Sequence, residues 1–165
     1  MAQTASIAAK QFVTFLSDST KGIGPAVSSL AADSGIALTP LPAEQIVNQN
    51  VGAAIAERAA AVKYPAVHVY SNRVRNVITE KFRTFSGKVQ TVAEVRVSQD
   101  RIEGIEDQTR LYVDAVTAVL DANRGNWGQG MFYTGGYEVS FDPLQQGGRN
   151  LMQVARVTFE VDLSS

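Results

Sequence analysis

Cysteine is absent from the 165 residues, and histidine occurs once, as His68. The first absence excludes a disulfide framework, a thiolate metal site and a cysteine nucleophile. With one imidazole, no two-histidine zinc motif can be assembled within the chain. An excess of one charge is also missing: 15 Lys and Arg stand against 16 Asp and Glu, a formal net charge of −1. Such a balance argues against wrapping nucleic acid by charge alone. Apolar residues make up 45% of the chain, yet no run reaches the roughly 18 residues that a spanning helix needs, so no membrane contact is expected. The stretch Met1 to Lys10 has no basic region ahead of a continuous apolar core, so a secretion signal is not expected. These readings lead to a soluble, cytoplasmic protein forming a single domain over 1–165, since domains commonly run to about 100–200 residues. A chain of this length buries enough surface to fold without a covalent or metal staple.

What is present divides the chain in two. In the first part, 1–62, Ile7, Ala8, Phe12, Phe15 and Leu16 recur at helical spacing, predicting a short amphipathic helix that stops near Lys21-Gly22. The region from Gly24 to Lys63 is rich in Ala, Ser, Gly and Pro, and predicts helices with irregular connections. Thr39-Pro40-Leu41-Pro42 is a break, a helix can restart at Pro42, and Ala53 to Val62 is helix-compatible.

The second part, 63–165, carries period-2 patterns. Pro65 to Tyr70 has strand composition, and Asn76 to Phe85 reads as a second strand closed by a Ser86-Gly87 turn. Val89, Thr91, Ala93, Val95 and Val97 share one face of a third, half-buried strand, with Gln90, Glu94, Arg96 and Ser98 on the polar, solvent-facing side and Val92 the exception there. A helix is predicted over about 103–123, with Ile105, Thr109, Tyr112, Val116 and Val119 on its apolar stripe. Glu106 with Arg110, and Arg110 with Asp114, form i, i+4 pairs on its wet side, and Gly125 is the expected cap. Gly125 to Gly130 reads as a loop, Tyr137 to Phe141 as a strand, Pro143 to Gly148 as a loop, and about 150–163 as a long final strand. The order strand-strand-strand-helix-strand-strand predicts an α+β fold: a mainly antiparallel sheet with one helix packed across a face, plus extra N-terminal helices.

No nucleophile elbow and no phosphate-binding loop occurs in the sequence. The glycines at 125–130 follow a helix and precede a strand, the reverse of the order in which a helix N-terminus cradles phosphate. Glu103, Glu106 and Asp107 fit a first helical turn, where the dipole favours anions. Trp127, Tyr133 and Tyr137 read as core or interface aromatics. No catalytic residue, cofactor or metal site is therefore expected, and the chain does not read as an enzyme.

One charge feature remains. Arg73, Arg75, Lys81, Arg83 and Lys88 fall within a short stretch opposed by Glu80 alone. Basic residues of this kind either blunt an edge strand against unwanted pairing or project to meet an acidic protein surface or a DNA backbone.

The run Lys-Tyr-Pro-Ala-Val-His-Val-Tyr at 63–70, the strand Val-Ala-Glu-Val-Arg-Val-Ser at 92–98, the helix around Leu-Tyr-Val-Asp-Ala-Val at 111–116 and the long final strand come in a telling order. Over Lys63 to Ser165 that order is similar to the tail terminator (tail completion) proteins of tailed bacteriophages. The resemblance implies a structural virion protein of the tail or neck, assembled in the host cytoplasm. It implies a homo-oligomeric ring, usually a hexamer, that caps the tail tube and presents a docking surface to the head. Its partners would be copies of itself, the tail tube protein and a head-neck connector, with genomic DNA passing through the ring. The alternative reading is a nucleic-acid-binding α+β module that uses the basic hairpin, with Tyr70, Phe82 and Phe85 as stacking platforms.

Overall fold

A computed structural model describes residues 4–58, 63–78 and 80–165. Its helices are α1 (Thr4–Leu16), α2 (Ile23–Ser34), the single turn α3 (Ala53–Ala56) and α4 (Ile105–Ala122). The strands are β1 (Ile46–Val47), β2 (Ala66–Asn76), β3 (Ser86–Gln99), β4 (Gly125–Gly128), β5 (Met131–Tyr133), β6 (Tyr137–Phe141), β7 (Gln145–Gly147) and β8 (Asn150–Ser164). They form one sheet in the order β1-β2-β3-β8-β5-β4, with β6 and β7 also paired to β8. All pairs are antiparallel except β1 with β2. The fold is α+β, as the period-2 patterns indicate.

The register explains why one face is dry. Val67 lies opposite Val95, which lies opposite Ala155; Val69, Ala93 and Val157 form the next row; Thr91 faces Phe159 and Val89 faces Val161. These rows are buried under α1 and α4. Helix α4 contributes the expected stripe, with Ile105, Thr109, Tyr112, Val116 and Val119 all buried. The Tyr112 hydroxyl donates to the Thr39 carbonyl at 2.7 Å and ties the proline-rich segment over the helix. Helix α2 packs on α4 as an outer layer through Ile23 and Val27. At the end of the sheet, Phe12, Trp127, Tyr133 and Phe159 form an aromatic cluster with ring centres 5.0–6.2 Å apart. The Trp127 indole donates to the Asn123 carbonyl at 2.6 Å, satisfying its one polar atom.

Several expectations are corrected. Residues 77–78 and 80–85 are not in a strand, and 79 lies outside the described residues: Ile78 and Phe82 have φ of 46° and 63°, a left-handed conformation that a pleated ladder excludes. The strand partner of β3 is instead β2 itself, which runs on to Asn76. The glycine-rich stretch at 125–130 is not a plain loop but the hairpin β4–β5, turning at Gln129 and Gly130 with φ of 53° and 82°. A side chain at Gly130 would place its Cβ 2.0 Å from the Ser164 carbonyl oxygen, so only glycine permits this approach. The predicted loop over 143–148 contains β7. A helical restart at Pro42 amounts to one 3₁₀ turn, Ala43–Gln45, and the 53–62 helix is described only over Ala53–Ala56, because 59–62 lie outside the described residues. The expected Glu106–Arg110 pair forms at 3.2 Å, but the second partner of Arg110 is Asp107, at 3.7 Å, in place of Asp114.

Candidate interaction surface

The five basic residues lie on an arm formed by the far ends of β2 and β3 and the loop between them. A bulge between Ser71 and Arg73 shifts the register of β2. Ser71 opposes Thr91 on the helix-covered face, and without the bulge Arg73 and Arg75 would follow it there. With the extra residue Asn72, Arg73 opposes Gln90 and Arg75 opposes Lys88, on the other face. Gly87 allows the two strands to close at this point, since a Cβ there would sit 1.8 Å from the Arg75 carbonyl oxygen.

Local side chains hold the loop. The Asn76 side-chain oxygen accepts from the backbone N–H of Ile78 and Ser86, at 3.2 and 3.1 Å, while its amide donates to the Thr84 carbonyl. The chain end clamps the other side: the N–H groups of Thr84 and Phe85 donate to the Ser165 carbonyl, and Ser165 N–H returns to Phe85. Glu80 accepts from the Ser164 hydroxyl at 2.7 Å.

The arm does not use its cations equally. Lys88 bonds Asp162 at 2.9 Å with Glu160 at 3.7 Å, and its pKa is raised first by the Asp162 hydrogen bond. Those carboxylates offset the repulsion expected between Lys88 and the directly opposed Arg75. Arg83 lies 3.3 Å from Glu80. Arg73, Arg75 and Lys81 make no ion pair among the described residues. Beside them lies what the charge pattern did not reveal, an apolar group of Val74, Val77, Ile78 and Phe82 that is exposed, with Phe82 at 104%. Exposed apolar groups of this kind on a projecting segment mark contact surfaces. Of the three aromatics proposed as stacking platforms, Phe85 is buried, Tyr70 is held in a hydrogen-bond network, and Phe82 is free.

The face of the sheet opposite the helices is the second unexpected feature. Glu94 and Arg96, expected on the wet side, are 5% and 1% exposed. The segment after β1 crosses this face, and the Val51 carbonyl accepts from Arg96 Nη2. Arg96 pairs with Glu94 at 3.0 Å, and the Tyr70 hydroxyl donates to Glu94 at 2.8 Å. Arg156 lies 3.5 Å from Glu94 and 2.8 Å from Asp142. Burial first, and then the Glu94 carboxylate, pushes the Tyr70 phenol up to about 12. Burial opposes the charge on Arg156, yet Asp142 and Glu94 leave its pKa raised.

His68, opposite Glu94 in the register, hydrogen-bonds the backbone of Gln49 through one nitrogen, and its buried Nδ1 has no partner. Burial, and then the Arg96 charge, lowers its pKa to about 4, so the imidazole is neutral. It lines a cavity of about 650 Å³ walled by Val47, Val51, Ile55, Ala56 and Ala66. The sequence gives no sign of this cavity, because its far wall is formed by the alanine-rich segment. Glu106 and Asp107 lie in the wet first turn of α4, whereas Glu103 precedes the N-cap Gly104 and is outside the helix, and no group of three potential metal ligands exists among the described residues.

Models of known protein families give no match to the chain, and no curated protein matches it.

Proposed function

We propose that the chain is a structural subunit that assembles with copies of itself into a ring, and that this ring ends a phage tail tube and offers a docking surface to the head. The observation that carries the reading is the arm, an extension of two strands whose tip leaves Phe82 uncovered and which carries three cations, Arg73, Arg75 and Lys81, that make no ion pair among the described residues. A soluble subunit keeps such a surface only where another surface covers it. Arginine on the arm suits this role, because its planar fork pairs with carboxylates at protein interfaces. The resemblance of residues 63–165 to tail terminators supports the choice of assembly, and the role is not enzymatic.

Single exposed ion pairs contribute only about 0–1 kcal/mol, so the test reverses three charges together. The variant Arg73→Glu/Arg75→Glu/Arg83→Glu should keep the circular dichroism of the parent. Its mass by size-exclusion with light scattering should fall from that of a ring to that of a monomer, and it should fail to cap tubes. A parent chain that is monomeric at all concentrations and binds DNA with steep salt dependence would overturn the ring and favour the nucleic-acid module.

A further inference from the structure

Building on the ring reading, we propose that the tip of the arm, with Phe82 at its apex, inserts into the His68 cavity of a second copy of this chain. Both halves of the contact are on one subunit. The knob is an exposed aromatic flanked by exposed Ile78 and Val77. The socket has a volume of about 650 Å³ and is walled mainly by aliphatic side chains, with Ile55 66% exposed beside it. That volume lies within the roughly 300–1,000 Å³ typical of ligand pockets and has room for an aromatic ring with an aliphatic neighbour.

Polar groups match as well. Lys81, which makes no ion pair among the described residues, meets an exposed lining carboxylate in Glu44; Lys63 is the other charge of the lining. The unpartnered Nδ1 of His68 is a buried acceptor at the cavity wall, suited to a backbone N–H of the incoming loop. A buried polar atom left without a partner is destabilising, and the inserted tip would remove that cost.

Geometry requires the partner to be another chain. His68 and Asn76 are at opposite ends of β2, about 26 Å apart at 3.3 Å per residue. The arm continues away from the cavity, so it cannot fold back into its own socket. Knob and socket are different surfaces, so the contact is head-to-tail, the kind that closes into a ring when the rotation permits.

The absence of cysteine makes the test clean. One chain carries Phe82→Cys, a second carries Ile55→Cys, and a control carries Ala118→Cys at an exposed position of α4. On mild oxidation the first two should give a covalent heterodimer at least about tenfold faster than Phe82→Cys with the control, because a docked pair has a high effective concentration. Ala56→Trp, which fills the socket from its own wall, should release monomers as Phe82→Asp does, both variants keeping the parent circular dichroism. If rings persist by light scattering but no Phe82–Ile55 cross-link forms, the docking is wrong and the ring reading stands. If the parent chain never assembles, both fall.

Discussion

Between Ala66 and Val69, β2 has every side chain buried; between Arg73 and Asn76 it has every side chain exposed. Both halves make regular antiparallel ladders with β3. The difference therefore lies in what the side chains meet. A backbone hydrogen bond contributes only about 0.5–1.5 kcal/mol net, whereas burying a large aliphatic side chain contributes about 1.5–3 kcal/mol. The inner half is held by its burial under α1 and, on the other face, beneath the segment after β1. The outer half is held at its margins, by Asn76, by the chain end at Ser165 and by the Lys88–Asp162 pair. Ladder geometry carries an arm outward, but only the inner half is locked by packing, which leaves the arm's apolar side chains for another surface.

The comparison is broken most severely in the body. Val116 is fully buried between α4 and the sheet. Val116→Asp places an unpaired carboxylate there and should cost about 4 kcal/mol or more, read as the loss of most of the cooperative unfolding transition in urea. Survival of a native-like transition would show that the helix is not seated as described.

Next in size is the buried polar network. Glu94→Gln leaves Arg96, 1% exposed, without its carboxylate, and should cost about 3–5 kcal/mol. The double variant Glu94→Leu/Arg96→Met removes both charges and should recover most of that loss. A double variant as unstable as the single one would mean that the network holds the Val51 segment in place through Arg96 and that the charge balance is secondary.

This network also shows where the sequence could be read and where it could not. Alternation in β3 and β8 marks which residues share a face, and the stripe from Ile105 to Val119 marks the buried side of α4, because both periods follow from backbone geometry alone. Alternation does not say whether the second face is wet. Glu94 and Arg96 read as solvent-facing because the covering segment, 46–58, has neither period. Hairpin β4–β5 was hidden for a related reason: its glycines serve positive φ and a close approach to Ser164 rather than flexibility. The strand expected over 76–85 failed because its alternation is real in the residues but is not used. The Asn76 side chain and the Ser165 carbonyl take the hydrogen-bonding groups that a ladder would need. The cluster of cations was legible; the exposed Phe82 was not, since exposure of one aromatic depends on a tertiary loop.

A smaller effect is expected from pH. His68 has a pKa lowered from 6.5 to about 4 in the folded chain, first by burial and then by Arg96, with Glu94 and a Gln49 hydrogen bond opposing. Above pH 6.5 the imidazole is neutral in folded and unfolded chains alike, so its contribution is constant. Between 6.5 and about 4 the unfolded chain binds a proton that the folded chain excludes, and stability should fall by about 2–3 kcal/mol. Urea midpoints measured through this window should decline for the parent and decline less for His68→Gln. Identical slopes would mean that the imidazole is reached by water and that the inner half of β2 is less closed than its burial implies.

The smallest effect separates two phenylalanines. Phe159, in the aromatic cluster, is 2% exposed, and Phe159→Ala should cost about 3–5 kcal/mol through lost burial and a cavity. Phe82 has no burial to lose, and its φ of 63° is a conformation that costs a bulky L-residue about 1–2 kcal/mol relative to glycine. Phe82→Gly relieves that strain, but it also gives the unfolded chain more freedom, a penalty of about 0.4–1 kcal/mol. The difference favours the folded chain by about 0–1.5 kcal/mol, so the stability of the isolated subunit should hold or rise. In the assembled state the same substitution removes the knob and should weaken association. A monomer destabilised by more than about 1 kcal/mol would show instead that Phe82 packs against its own chain, and the inner and outer halves of β2 would then differ less than their exposures suggest.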